Sequence, residues 1–326
     1  MKPLAFSVLR LLSDGRFHSN ENLARSLQVY PGCISNALQD IERFGAIIKK
    51  NNGLRYRWQN PINWIDENEI LSYLHKDKHY FHLVTLDSVD STNRFLLDQV
   101  ITNNVPLSKF PVIITELQTQ GRGRFGRPWH SGLGDSLTFS LLWRFDCAIR
   151  QLSGLSLVIG VAIVRALKHL GIERLTLKWP NDVLFCFRKL AGILIELSND
   201  KRTGSAVVIG IGLNVKLSSL IKKNIDQSFT DLFVITSKVL NRNKLLAILL
   251  SELATALKDF NHFGFDFFRH EWISYHAYEG KFITLALPDG SINKGIVDGV
   301  ECDGSLRLKM ATGKKCSFNS GELTLR

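Results

Sequence analysis

Residues 118–134, QTQGRGRFGRPWHSGLG, combine a G-x-G-x-x-G spacing of glycines with a high density of arginines. The glycines are Gly121, Gly123 and Gly126, and the arginines beside them are Arg122, Arg124 and Arg127. A dinucleotide-binding fingerprint opens a helix, whereas Pro128 and a new strand pattern follow here, and no Gly-Lys-Ser/Thr closes a Walker loop. We interpret the stretch as a glycine loop whose guanidinium groups fold over an anionic ligand; a solvated basic surface loop is the alternative.

The composition is that of a basic globular protein. The chain has 326 residues, enough for two or three domains, and its net charge of +11 predicts an anionic partner, either nucleic acid or a phosphate-bearing ligand. Its five cysteines form no CxxC pair, which favours reduced thiols in the cytoplasm. We find no run of about 18 apolar residues and no signal peptide, so we expect a cytoplasmic protein without a membrane segment.

The first sixty residues predict a small DNA-binding unit. Helical spacing of apolar residues indicates helices in PLAFSVLRLLSDG, NENLARSLQ and, after a break at Pro31-Gly32, CISNALQDIERFG. The alternating stretch AIIKKNNGLRYRWQ then predicts a hairpin that turns at Asn52-Gly53. Three helices and a basic hairpin are typical of a winged helix-turn-helix.

The rest of the chain predicts an α+β fold. Strands are expected near 81–89 and in VIITELQ, DSLTFSLLWRF, RLTLKW, KLAGILIEL and SAVVIGIGLNVKL. The turn-rich stretches PND and NDKRTG between the later strands favour an antiparallel arrangement. Long helices are expected in LSGLSLVIGVAIVRALKHLG and from Asn241 to about Tyr275, and the last fifty residues predict a small β-barrel.

Five motifs occur in order across the central region: DSVDSTN, QGRGRFGRPW, LKWPNDV, RKLAGILIEL and GIGLNV. Together they closely resemble the biotin–protein ligases, and the whole chain is similar to the class of that family with an N-terminal winged helix. The resemblance implies a winged helix over 1–62 and a catalytic domain of the class II aminoacyl-tRNA-synthetase-like type, with a mixed or antiparallel sheet, over 63–276. It also implies an SH3-like β-barrel over 277–326.

The implied reaction has two steps. Biotin and ATP, with Mg²⁺, give biotinyl-5′-AMP, and a lysine of the biotin carboxyl carrier protein of acetyl-CoA carboxylase then attacks the mixed anhydride. The resemblance further implies operator DNA as a partner, with a homodimer forming when biotinyl-AMP is bound. A lipoate–protein ligase shares the fold, but the Ser-Thr-Asn and GRGR motifs favour biotin.

The resemblance assigns roles to individual residues. Lys189, Arg122, Arg124 and Asp182 would carry the catalysis: the three cations offset the repulsion between biotin carboxylate and α-phosphate, and Asp182 orients the attacking amine or a Mg²⁺-bound water. Lys178 and Asn181 would lie near the nucleotide. The residues implied to bind biotin or nucleotide, besides these cations, are Ser91, Thr92, Asn93, Gln118, Gly123, Gly192, Gly210, Asn214 and Phe229. Asn214 is also the implied Mg²⁺ contact, and Phe229 stands where some relatives have tryptophan over the adenine.

The DNA-binding prediction has a weak point in the second helix of the helix-turn-helix, which has no Lys or Arg before Arg43. Contacts to DNA are expected from Ser35, Asn36, Gln39, Lys49, Lys50, Arg55 and Arg57, with the wing cations binding phosphates. Two alternatives therefore stay open. In the first, the winged helix acts mainly as a structural cap or dimer modulator. In the second, the whole protein is chiefly a biotin-sensing regulator with little ligase activity.

Overall fold

The computed structural model describes residues 1–51, 55–198 and 205–325. The predicted turn at Asn52-Gly53 and the turn-rich stretch NDKRTG lie outside these ranges. Within the described residues the chain forms three β-sheets, of three, seven and five strands.

The N-terminal unit consists of helices α1 (Pro3–Leu11), α2 (Asn20–Leu27) and α3 (Pro31–Arg43), with strands β1 (His18–Ser19), β2 (Ile48–Asn51) and β3 (Arg55–Trp58). The strands form an antiparallel sheet in the order β1-β3-β2. The three predicted helices are confirmed, but α3 begins at Pro31 rather than after Gly32. Proline is tolerated there because the first helical turn does not need its N–H.

A connector leads through α4 (Glu67–Leu74) into a seven-stranded central sheet. Its strands are β4 (Phe81–Val89), β5 (Phe110–Gln118), β6 (Ser136–Phe145), β7 (Leu175–Lys178), β8 (Asp182–Phe185), β9 (Arg188–Leu197) and β10 (Ser205–Asn214). The order is β4-β5-β6-β10-β9-β8-β7, and only β4 and β5 pair in parallel, so the sheet is mixed. Strand β8 was not predicted, because four residues between two turns are too short to show a period.

The helices of the central region are α5 (Thr92–Ile101), α6 (Leu155–His169), the short α7 (Ser219–Lys222) and α8 (Leu232–Thr236), α9 (Arg242–Phe263) and α10 (Asp266–Tyr275). The segment expected to be helical from Asn241 to about Tyr275 is helical with one break: Gly264, with φ of +69°, ends α9 and separates it from α10.

Helix α6 is the long apolar helix expected from the sequence. Residues Ile149–His169, which include it, are long and apolar enough to cross a membrane by length and composition alone. Of this segment's most apolar window, 61% is buried inside the protein, because α6 packs between the central sheet and α9. This is the pattern of a core helix.

The C-terminal sheet has five antiparallel strands: β11 (Phe282–Ala286), β12 (Ile292–Val300), β13 (Leu306–Met310), β14 (Lys315–Phe318) and β15 (Glu322–Leu325). They lie in the order β14-β13-β12-β11-β15. Its inward side chains, including Ile283, Leu285 and Leu323, belong to the same hydrophobic core as α6 and the central sheet. The C-terminal sheet therefore holds a fixed place beside the central one.

Candidate ligand pocket

A cavity of about 620 Å³ lies where the glycine-arginine loop, the central sheet and the C-terminal sheet meet. Its walls are the end of β5 and the loop after it, the first part of β9, the second half of β10, the segment 224–229 and the beginning of β15. Every residue assigned from the sequence to biotin or nucleotide lines this cavity. Residues far apart in the chain thus meet in one place.

One end of the cavity is a buried network of neutral polar groups. Ser91 caps α5, so Thr92 and Asn93 lie in its first turn. The backbone N–H and the hydroxyl of Thr92 donate to Gln118 Oε1 at 2.9 and 3.1 Å. The hydroxyl of Ser140 lies 2.7 Å from Thr92 Oγ1 and 2.5 Å from Asn93 Oδ1, within reach of both. These bonds fix the three-residue motif in a single arrangement.

Residues of strands β9 and β10 also constrain the side chain of Asn93. Its amide Nδ2 donates to Glu196 Oε2 at 2.7 Å, and an alanine Cβ at Gly210 would overlap the Asn93 amide. Likewise, a Cβ at Gly212 would overlap the ring of Trp129. Glycines were expected here for close approach to a ligand; the structure shows that they first admit the side chains of the pocket itself.

The other end of the cavity is strongly positive. Lys189 Nζ lies 2.8 Å from Asp182 Oδ1 across the hairpin of β8 and β9, and 5.7 Å from the centre of the Trp129 ring. Burial lowers the pKa of Lys178, which the nearby Asp182 only partly offsets. Burial likewise lowers the pKa of the Arg124 guanidinium. Cations held in such surroundings are stabilised by an anionic ligand.

The glycine-arginine loop is a compact hairpin closed by a bridge between Arg122 and Pro128. Gly123 N–H donates to Arg127 O at 2.7 Å, and Arg127 makes a two-pronged contact with Glu322 of β15. Arg122 pairs with Glu196 at 3.3 Å, so one carboxylate holds both Arg122 and Asn93.

Three of these residues were missed by sequence reasoning: Ser140, Glu196 and Glu322. A hydroxyl in the apolar run LTFSLLW was a usable signal for Ser140. Glu322 carried none, because its partner lies 195 residues away in the chain.

The segment 224–229 closes the cavity over Lys189. Lys189 N–H donates to Ser228 O at 3.0 Å, and Thr230 N–H donates to Lys189 O at 2.9 Å, which places Phe229 in the cavity wall. Asn214 Nδ2 donates to Thr230 O at 3.0 Å. Among the described residues, no group of three or more His, Cys, Asp or Glu side chains could hold a metal ion.

The geometry agrees with comparisons to known proteins. Residues 85–214 match the biotin/lipoate A/B protein ligase family. The bifunctional ligase/repressor BirA of Salmonella typhimurium is 32% identical over 320 residues, which are 98% of this chain and 97% of that protein. The chain belongs to the biotin/lipoate A/B protein ligase family. The protein of the same name from Escherichia coli is also 32% identical, over 98% of this chain and 96% of its own length.

Family membership extends to the architecture. The biotin protein ligase of Aquifex aeolicus in complex with biotin and ATP is 31% identical with a TM-score of 0.63, covering 75% of this chain and 98% of that one. The predicted family and the predicted α+β fold with a mixed central sheet are confirmed. The residues expected to contact DNA, from Ser35 to Arg57, all lie on the N-terminal unit of this chain.

The residues expected to contact DNA differ in their exposure and in their partners. Asn36 and Gln39 lie on the exposed side of α3, whereas Ser35 Oγ accepts a hydrogen bond from Asn20 Nδ2 at 3.4 Å and faces α2. Lys49 and Arg57 are cross-strand neighbours on β2 and β3, as are Asn51 and Arg55. Lys50 Nζ pairs with Glu42 Oε1 at 3.1 Å. The structure therefore gathers the cations on one hairpin and turns Ser35 inward.

Proposed function

We propose that the protein is an ATP-dependent biotin–protein ligase that forms biotinyl-5′-AMP and transfers biotin to a lysine of the biotin carboxyl carrier protein of acetyl-CoA carboxylase. One observation carries the proposal: a single cavity joins a buried network of neutral polar groups to a cluster of partly buried cations. A neutral ureido ring needs the first, and a carboxylate meeting a phosphate needs the second.

At the neutral end, Ser91, Thr92, Asn93 and Gln118 would bind the ureido ring. Gln118 Oε1 fixes Thr92, and Glu196 fixes Asn93, so their remaining donors and acceptors are oriented before biotin enters. A preorganised polar site loses little entropy on binding. Gly192 would serve the site by leaving room for Lys189 and Trp129, and Gly210 by leaving room for the Asn93 amide.

At the charged end, Lys189, Arg122 and Arg124 would offset the repulsion between the two reacting anions, which is electrostatic catalysis without a covalent enzyme intermediate. In the structure Lys189 is paired with Asp182. When the lysine turns to the substrate anions, the Asp182 carboxylate becomes available to orient the attacking amine. Glycines 121, 123 and 126 allow the loop to close and exclude water from the anhydride.

Mg²⁺ fits this site only as a companion of the nucleotide. Mg²⁺ commonly keeps several waters and takes one or two protein oxygens plus phosphate oxygens, where it neutralises phosphate charge. Asn214 donates its Nδ2 to Thr230, which leaves its Oδ1 as the amide atom for a cation. Phe229 would cover the adenine, since it lies in the wall beside Lys189.

We extend the proposal to the domain layout and to regulation. Residues 1–62 would be a winged helix that binds operator DNA, 63–276 the catalytic domain and 277–326 an SH3-like barrel. Support for DNA binding comes from Asn36 and Gln39 on the exposed side of α3, and from the cations of β2 and β3. A homodimer with biotinyl-AMP bound would present two such helices to two half-sites. All five cysteines are free thiols, in keeping with a cytoplasmic setting.

The test is ATP–pyrophosphate exchange on the purified full-length protein, with biotin or lipoate as the acid. We expect exchange that requires biotin and is absent with lipoate. Exchange with lipoate alone would make the protein a lipoate ligase. No exchange with either acid, together with measurable biotin binding, would contradict the ligase function and leave a biotin-sensing regulator.

A further inference from the structure

The N-terminal unit packs directly on the segments that form the pocket. Leu117, next to Gln118, and Leu133, a few residues after Trp129, belong to the hydrophobic core of the N-terminal unit. A Cβ at Gly134 would lie 2.6 Å from Ile62, so the connector touches the same segment. Two walls of the pocket are thus continuous with the core of the N-terminal unit.

A third contact involves the segment that closes the nucleotide end. Gly45 follows α3, and a Cβ built on it would lie 3.2 Å from Leu220 Cδ2. Leu220 is part of α7, which leads into residues 224–229 of the cavity wall. The end of α3 and the cover of the nucleotide site therefore meet through one leucine side chain.

Helix α7 is held on its other side by the loop that follows Trp129. Ser218 N–H donates to Asp135 Oδ2 at 2.9 Å, and a Cβ at Gly132 would lie 3.0 Å from Ile221. Residues 132–135 are accordingly enclosed between α7 and the N-terminal unit, through Leu133 and Gly134. Because close-packed interiors transmit strain, we expect a movement of α7 to be felt at the contact with the N-terminal unit.

We propose that Leu220 is a positioning residue that seats the nucleotide-covering segment against the end of α3, so that nucleotide binding and the placement of the N-terminal unit are coupled within one protomer. The proposal rests on the proposed function, because the nucleotide is the ligand that the segment 224–229 covers. By linkage, a ligand that orders α7 stabilises the end of α3, and the reverse holds equally. The coupling needs no second protomer.

The experiment uses the full-length protein and Leu220→Ala, with Leu107→Ala as the matched control. Leu107 is a similarly exposed leucine, 56% against 44%, on the turn between α5 and β5. Hydrogen–deuterium exchange is measured at the amides of Phe44 and Gly45, which close α3 by bonding to Ile41 O and Glu42 O. The protein is compared alone and after incubation with biotin and MgATP, and biotinyl-AMP is detected separately by mass spectrometry.

We expect adenylate to slow exchange at these two amides by about fivefold or more in the parent protein and in Leu107→Ala, the lower end of ordinary allosteric coupling. Leu220→Ala is expected to abolish that slowing and to raise the KM for ATP, while the KM for biotin stays unchanged. Leu220→Met, which keeps an apolar contact, is expected to restore both and thereby exclude misfolding as the cause.

Two results would overturn the proposal. One is adenylate formation without slower exchange at Phe44 and Gly45 in the parent protein. The other is slowing and an ATP KM in Leu220→Ala equal to those of the parent. Absence of biotinyl-AMP from the parent protein is a different outcome, because it contradicts the ligase function itself and removes the basis of the coupling with it.

Discussion

At the scale of single residues, the pocket depends on two glycines that make room for side chains. Gly210→Ala would push its new methyl group into the Asn93 amide and misplace the group assigned to biotin. A displaced buried hydrogen bond costs about 1–3 kcal/mol, so we expect the KM for biotin in pyrophosphate exchange to rise about tenfold or more. Gly32→Ala is the control, because apart from its chain neighbours and the backbone of its own helix no atom lies within 4 Å of its added methyl group. Equal KM values for both variants would contradict the assigned role of Asn93.

We expect Lys178 to make the reaction sensitive to alkaline pH. Burial lowers its pKa below that of an exposed lysine, so its charge is present at low pH and is lost as pH rises through this lowered pKa. We expect the alkaline limb of kcat/KM for exchange, which reports the free enzyme, to begin below the ordinary lysine range. In Lys178→Arg the side chain stays charged and the limb should move to higher pH. An unchanged limb would assign the titration to another group.

At the scale of elements, a buried ion pair fastens the connector to the central sheet. Arg242, at the start of α9, lies 2.6 Å from Glu116 of β5, and the two side chains are 3% and 0% exposed. Glu116 also accepts the N–H of Ile65, and Arg242 donates to Asn63 O. Because Glu116 is two residues from Gln118, this junction fixes the strand end that carries the pocket.

Arg242→Ala leaves the Glu116 carboxylate buried without its cation, and we expect a loss of unfolding free energy of about 3–5 kcal/mol in urea titrations. The control is Arg269→Ala, which breaks the exposed pair with Asp266 and should change stability by less than about 0.5 kcal/mol. Similar losses of unfolding free energy in the two variants would show that the buried pair stabilises the protein no more than the exposed pair does.

Local sequence patterns were enough to predict most helices and strands, but not the tertiary contacts between them. The helices of the N-terminal unit, α6 and the long strands follow from apolar periodicity, and ordered motifs indicated nearly all of the pocket. Strand β8 escaped because it is short, and the division at Gly264 because one glycine in a helical pattern is often tolerated. Glu196 and Glu322 escaped because their partners are set by tertiary packing, which no local window contains.

At the scale of the whole molecule, two separate groups of cations lie at the places where we propose that anions bind. One lies in the pocket, and the other on the hairpin of β2 and β3 with Lys49 and Arg57 side by side. We expect Lys49→Ala/Arg57→Ala to weaken binding to nonspecific duplex DNA and to reduce the salt slope by about 0.9 for each phosphate that is no longer neutralised. Lys244→Ala, an exposed lysine on α9, should leave the slope unchanged. Identical slopes would remove the hairpin from the DNA interface.

The contact between Arg127 and Glu322 joins the other end of the molecule to the same pocket. The glycine-arginine loop and the C-terminal sheet thus line one cavity, and the N-terminal unit packs on Leu117 and Leu133 beside its walls. We expect this arrangement to suit a site that closes on an adenylate and later admits a protein lysine.

The most direct test of the ligase function is a single-turnover transfer. The protein is incubated with biotin and MgATP, freed of excess substrates by gel filtration, and mixed with a biotin acceptor domain. We predict stoichiometric attachment of biotin to the acceptor lysine with release of AMP, no attachment when that lysine is replaced by arginine, and no retained adenylate in Lys189→Ala. A parent protein that retains biotin and ATP unreacted, or retains adenylate but never transfers biotin, would contradict the account.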